Sequence, residues 1–438
     1  MKFVALLVYN LVLLILSPII ILLLLYRLLA AGKARRGVLE QLGFIPAGKL
    51  GDGPRFWVHA VSVGENTAAK PVWQAMKRLL PGHRLILSTT TDTGQATAQK
   101  FVGDQGQTIY FPFDLLPCVW LALARARPEV IVIMETELWP NFLEVAKRFG
   151  CRIITANGII SDRTQRRAAF VRPVYRWMTG NIDRFCMQSP EDAHRIIRLG
   201  ADPARVTVTG NTKFDEVLTE VPLGDQITLR NALGLRREEP VLLAGSTHPG
   251  EEEPVLRAFR QVKTAHPEAR LIIAPRHIQR AQEIEELAVA HGFAVARRTK
   301  TGSAPAPPDA VIILDTLGEL ARAYALCTAA FVAGSFAPIG GHNVLEPLGL
   351  GKPAVFGPHM EKNRDLAGLT LAAGVGFQVA DANELAARWN AFLTDHHLRQ
   401  DVAVKAKAMF QQNSGAGRRC ADAAVALLGH TVRDELDV

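Results

Sequence analysis

No two of the five cysteines in this 438-residue chain are spaced as CxxC. Cys118, Cys151, Cys186, Cys327 and Cys420 are odd in number and scattered, which argues against a zinc site and for reduced thiols in a cytosolic compartment. No GKS or GKT follows the small-residue turns, so a Walker A loop is excluded, and the turn at 244–252 is not GxGxxG. Internal repeats and long low-complexity tracts are also missing. Charge is absent throughout residues 3–26. A helix of that length spans about 36 Å, against about 30 Å of bilayer hydrocarbon. Arg27, Lys33, Arg35 and Arg36 follow it, and the positive-inside rule then puts the rest of the chain in the cytoplasm. The run is too long for the apolar core of a cleaved signal peptide, so an uncleaved anchor is expected over 1–32. Whether it spans the bilayer or lies obliquely in one leaflet is open.

What remains is large enough for more than one core. Net charge is +8, a sign that suits anionic lipid, nucleotide substrates or nucleic acid. The basic residues are dispersed except at 161–177, so no nucleic-acid partner is expected. That segment holds five arginines and three aromatics. It reads equally as a solvated face or as a patch for anionic headgroups.

Strand-like runs at 55–60, 84–88, 108–111, 130–134, 152–157, 185–188 and 206–208 alternate with helical stretches such as 67–80 and 94–101. A second series runs 240–244, 270–274, 311–314, 329–333 and 354–356, with a turn-rich loop at 302–308. The alternation predicts an α/β protein with two Rossmann-like domains, 33–222 and 223–438, facing across a cleft.

Ligands of such sheets bind beyond the carboxyl ends of the strands. Two acidic motifs stand there. His59-Ala60-Val61-Ser62-Val63-Gly64-Glu65 follows one strand and Met134-Glu135-Thr136-Glu137-Leu138-Trp139-Pro140-Asn141 ends another. Carboxylates so placed suit general acid–base work. Glu65 alone reads as a first-turn glutamate complementing a helix dipole; the second cluster shifts the balance toward chemistry. If the chain is still extended there, Glu135 and Glu137 share a face. Glu135 is favoured and Glu137 is left undecided. Lys213, in Gly210-Asn211-Thr212-Lys213-Phe214-Asp215, can neutralise a phosphate leaving group or simply be a surface lysine.

In the second half, Ala244-Gly245-Ser246-Thr247-His248 has the small-residue form of a phosphate-binding turn. Pro275-Arg276-His277 offers a guanidinium at the same edge. Leu317-Gly318-Glu319 forms a third turn. In Gly340-Gly341-His342-Asn343-Val344-Leu345-Glu346-Pro347 the glycines permit close backbone approach, Asn343 can cap the next helix, and Glu346 can accept from ribose hydroxyls. Ser246, His277 and Gly341 are candidate phosphate or donor contacts. Together these turns favour a nucleotide site.

These motifs closely resemble those of the 3-deoxy-D-manno-octulosonic acid (Kdo) transferases of lipopolysaccharide synthesis, along essentially the whole chain. The resemblance implies a GT-B glycosyltransferase at the cytoplasmic face of the inner membrane, held by a single N-terminal anchor. It implies transfer of Kdo from CMP-Kdo to a lipid A precursor, tetraacyldisaccharide 4'-phosphate, with no cofactor and no metal. It makes Glu65 the base, with Glu135 and Lys213 stabilising the transition state. Pro275, Arg276, Leu317, Gly318, Glu319, Asn343, Val344, Leu345 and Glu346 would hold CMP. The alternatives are a membrane-anchored GT-B transferase using another nucleotide sugar, and a tethered nucleotide-binding scaffold. A scaffold has no need of Glu65.

Overall fold

A computed structural model describes residues 6–15, 18, 35–166, 168–236, 239–300, 306–307 and 309–429. The chain divides into two compact units, Met1–Glu216 with Asn413–Val438, and Val217–Gln412. Each is built on one seven-stranded sheet whose paired strands are all parallel.

The first unit contains β1 (Arg55–His59), β2 (Arg84–Thr89), β3 (Gly106–Tyr110), β4 (Val130–Met134), β5 (Arg152–Gly158), β6 (Arg184–Met187) and β7 (Val206–Val208). Their order is β3-β2-β1-β4-β5-β6-β7, so the direction of winding reverses between β1 and β4. Helices cover both faces, and β4 therefore reads as unbroken apolar sequence, Val-Ile-Val-Ile-Met, buried at every position. Alternation along β1 sends Phe56 and Val58 into one core and Trp57 into the other.

The second unit contains β8 (Val241–Thr247), β9 (Arg270–Pro275), β10 (Ala294–Arg297), β11 (Ala310–Ile313), β12 (Ala329–Val332), β13 (Ala354–Phe356) and β14 (Gly376–Gln378). They run β10-β11-β9-β8-β12-β13-β14, with the reversal between β8 and β12.

Several expectations need correction. The second domain does not run from 223 to the C-terminus. The division falls after Glu216, and the chain returns at Asn413 to the first unit. There the helix Ala416–Ala426 packs on the helix Val63–Leu79 so closely that a Cβ on Gly417 would meet Pro71 at 2.6 Å. The helix expected over 67–80 begins at Val63, because the Ser62 side chain caps it by accepting from the Glu65 N–H. The segment 161–177 is part surface and part core. Arg166, Arg172 and Arg176 are exposed, but Trp177 is buried in the core.

Of the expected anchor, residues 1–5, 16–17 and 19–32 lie outside the described residues, as does most of the 302–308 loop. Residues 6–15 form a helix. The Tyr9 hydroxyl donates to Asp114 Oδ2 at 2.8 Å, and the Asn10 and Asn141 amides pair reciprocally at 2.9 Å. Leu7, Val8, Leu11, Val12, Leu14 and Ile15 are exposed. No helix among the described residues is long and apolar enough to cross a membrane.

Candidate active site

Glu65 follows β1 and Glu135 follows β4, so the two carboxylates flank the reversal point of the first sheet, where open α/β sheets bind ligands. Glu65 sits in the first turn of its helix and is 8 % exposed. Its carboxylate accepts from the Val61 N–H at 2.9 Å and the Ser62 hydroxyl at 3.1 Å. Burial pushes the carboxyl up to about 7, helped by the Glu135 charge and less strongly by Glu137, while the Val61 and Ser62 hydrogen bonds pull the other way. A Cβ on Gly64 would meet only the Ser62 Oγ, at an ordinary contact distance of 3.9 Å.

The extended reading of Glu135 and Glu137 fails at its first residue. Glu135 is left-handed, with φ of 54°, and its N–H donates to the Ala156 carbonyl at 2.8 Å. The strand ends in a turn, not in continued alternation. Both glutamates are still close enough to raise Glu65, and burial pushes Glu137 itself up. Pro140 opens the next helix at its first position. His59, the first residue of the Glu65 motif, is a core residue. It stacks on Phe111 with ring centroids 3.7 Å apart, and burial holds it down at about 3.

Lys213 stands beyond β7 in the turn Thr212–Glu216. The turn is fixed around it. The Thr212 N–H donates to Asn157 Oδ1 at 2.9 Å, and Phe214 is buried. Asp215 accepts from the Gly415 and Gly417 N–H groups at 2.6 and 2.7 Å, and Glu216 pairs with Lys70 at 2.7 Å. The half-buried Lys213 ammonium makes no hydrogen bond or ion pair among the described residues.

In the second unit, β8 ends in a bulge between Gly245 and Thr247, where Ser246 takes a φ of 61°. Bulges with a left-handed residue re-aim side chains at strand ends. Gly245 itself serves packing, since a Cβ there would meet the Tyr324 hydroxyl at 2.0 Å. Gly341 likewise turns at φ 76° against Met360, so its backbone approaches protein and not open space.

Five N–H groups beyond β8 and β12 are taken by an internal anion. The buried Glu251 carboxylate accepts from the His248 and Gly334 N–H groups at 3.0 and 2.7 Å. It also accepts from Ser335, Phe336 and Ala337 at 2.9, 2.9 and 3.2 Å. It binds the end of β8 to the end of β12 and saturates the nest with an internal anion.

The exposed Arg276 guanidinium and the exposed His277 follow β9. His248 and His342 stack 5.1 Å apart, with Nε2 atoms 2.8 Å from one another. Burial lowers both, His342 to about 4. In that contact one ring donates and the other accepts. Asn343 Oδ1 accepts from the Leu345 N–H at 3.0 Å, and Val344 and Leu345 are buried. They place Glu346 in the first turn of the helix Leu345–Gly349, where burial raises it to about 7 against the pull of Arg276.

Leu317 is exposed and Gly318 has φ of 83°. The Glu319 carboxylate is already engaged, by Arg298 at 3.2 Å and by the Thr316 hydroxyl. Ser246, His277 and Glu346 offer polar groups at this edge; Pro275, Val344, Leu345 and Gly341 shape backbone. Glu251, the His248–His342 pair and Asn157 were not singled out from sequence. Glu251 had a signal, as a glutamate after a strand-to-helix turn. Asn157 had none beyond ending a strand.

A glycosyltransferase from Rickettsia africae ESF-5 has a similar fold, with a TM-score of 0.53 at 11% identity, over 87% of this chain and 100% of that one. A family model described as 3-deoxy-D-manno-octulosonic-acid transferase matches residues 36–216. A 3-deoxy-D-manno-octulosonic acid transferase of Bordetella pertussis is 34% identical over 382 residues, 85% of this chain and 87% of that protein. The Haemophilus influenzae transferase of the same name is 28% identical over 417 residues, 94% of this chain and 96% of that one. The relatives define a glycosyltransferase. The chain belongs to the 3-deoxy-D-manno-octulosonic acid transferase family.

Proposed function

We propose that the enzyme transfers Kdo from CMP-Kdo to tetraacyldisaccharide 4'-phosphate, with Glu65 as the general base, as a GT-B transferase. The observation that carries the reading is Glu65 itself. It is a buried carboxylate raised to about 7, beside two further carboxylates at a sheet reversal point. A base whose pKa lies near the working pH combines ionisation with proton affinity. The acceptor hydroxyl gives its proton to Glu65 as its oxygen bonds to the anomeric carbon. The bond from that carbon to the phosphate breaks, and CMP leaves with the electron pair. Glu135 stabilises positive charge developing on the sugar, and Lys213 meets the negative charge of donor or leaving group. On the second unit, Arg276 faces phosphate and Glu346 accepts from ribose hydroxyls, with Ser246, His277 and the turns at 317–319 and 341–345 around them.

The anchor belongs to the same proposal. Residues 6–15 expose an apolar stripe while Tyr9 and Asn10 tie the helix to the first unit. That design suits an inner-membrane attachment with the catalytic units on the cytoplasmic face.

The test is a mass-spectrometric transfer assay on detergent-purified protein, with CMP-Kdo generated in situ and the tetraacylated precursor as acceptor. A Kdo-sized gain in the wild type, absent in folded Glu65→Ala, is the expected result. No transfer by folded wild type would sink the donor and acceptor assignment and send the search to other nucleotide sugars. Full activity in Glu65→Ala would overturn the base.

A further inference from the structure

We propose that Asn157 is a positioning residue for Lys213, acting through the turn that carries it; the proposal rests on the role given to Lys213 above. Asn157 is the penultimate residue of β5 and is fully buried, with a left-handed φ of 55°. The register between β5 and β6 shifts between Thr155 and Gly158, so Asn157 stands in a bulge. Left-handed backbone is costly for most residues but tolerated by asparagine, and bulges beside active sites redirect side chains. Here the redirected amide reaches along the sheet edge past β6. Its Oδ1 accepts from the Thr212 N–H at 2.9 Å.

A second tie runs through β6. Gln188 Nε2 donates to the Asn157 carbonyl at 3.0 Å, and Gln188 Oε1 accepts from Asn211 Nδ2 at 3.0 Å. Asn211 Oδ1 in turn accepts from the Lys213 N–H at 3.0 Å. The backbone on both sides of the Thr212–Lys213 peptide is thus fixed from the end of β5. The neighbouring residue, Ala156, accepts from the Glu135 N–H at 2.8 Å. The same strand end therefore holds Glu135 and Lys213 in a common frame. Two opposite charges that must act on one reacting sugar gain from such a frame, because small misplacements cost rate steeply.

The side chain itself suggests the discriminating variants. Asn157 Nδ2 makes no hydrogen bond among the described residues, so only the Oδ1 acceptor is in use. Asn157→Gly keeps the backbone conformation and removes the acceptor. Asn157→Asp keeps an acceptor and a residue that tolerates left-handed φ.

The experiment is steady-state transfer with hydrogen exchange across 211–216, for both variants and for Gln188→Ala. Asn157→Gly is expected to lower kcat about 10- to 100-fold with little change in KM, and to speed exchange at Thr212. Asn157→Asp is expected to restore most of both, and Gln188→Ala to cost several-fold in kcat. In a Lys213→Ala background, Asn157→Gly should add less than about twofold, since coupled residues are not additive. Full activity in Asn157→Gly, or losses that multiply with Lys213→Ala, would overturn the positioning role. Full activity in Lys213→Ala would overturn it by removing the role it serves, a failure separable from the first. Should Asn157→Gly not fold, the exchange and kcat of Gln188→Ala decide, with wild-type values for both overturning the proposal.

Discussion

Glu65 and Glu251 hold nearly the same station in the two units. Each follows the strand beside its sheet's reversal point and stands at the start of the next helix. Their surroundings differ. Glu65 accepts from one backbone N–H and one hydroxyl, and lies beside Glu135 and Glu137. Glu251 accepts from five backbone N–H groups. A carboxylate with its donors saturated stabilises a fold. One left short of donors and crowded by like charge is ready to take a proton. The contrast teaches that residue type and station do not fix how a carboxylate behaves; the donors and charges around it do.

The largest test of the comparison is Glu65→Gln. Loss of a general base is expected to cost about 10²–10⁴-fold in kcat, measured by the transfer assay. A loss under about fivefold would remove Glu65 from the chemistry. Glu251→Ala should instead act on folding. It strands buried N–H groups, each costing about 1–3 kcal/mol, so a loss of at least about 3 kcal/mol is expected. Urea unfolding checks it, and an unchanged midpoint would show that water replaces the carboxylate.

A third test concerns sign. Folding raises the Glu65 carboxyl from its ordinary 4.5 to about 7, so its charged form is disfavoured in the native state. Wild type therefore loses stability as pH rises from about 4.5 to about 7, and Glu65→Gln does not. Above pH 7 the inactive variant should be the more stable by roughly 1–3 kcal/mol, and the two should converge below pH 4.5. Thermal melts at pH 4.5 and 8 read this directly. The wild-type rate should also fall as pH drops through about 7. The smallest effect is expected at Gly64→Ala. Its Cβ makes no contact tighter than 3.9 Å, to Ser62 Oγ, so stability should change by less than about 0.5 kcal/mol. A raised KM at unchanged melting temperature would show acceptor passing over that turn.

The seven strands of the first sheet were all legible because most are runs of buried apolar residues or stand at regular spacing. In the second, β10 and β14 were missed. Ala-Val-Ala-Arg and Gly-Phe-Gln are short, partly exposed edge strands with no apolar run to mark them. Glu65, Glu135 and Lys213 could be singled out by their place after strands. The left-handed turn at Glu135 could not, because conformation at a strand end depends on what the neighbouring strand accepts.

By itself the sequence determined the parallel α/β layering, the acidic strand ends and the family motifs, since these follow from local periodicity and residue type. Only the tertiary structure decided that the C-terminal helix belongs to the first unit, that Glu251 is sealed by backbone donors, and that Asn157 reaches Thr212. Each of these rests on contacts between residues 55 to more than 200 apart in the chain, or on donors supplied by distant turns, which no local pattern encodes.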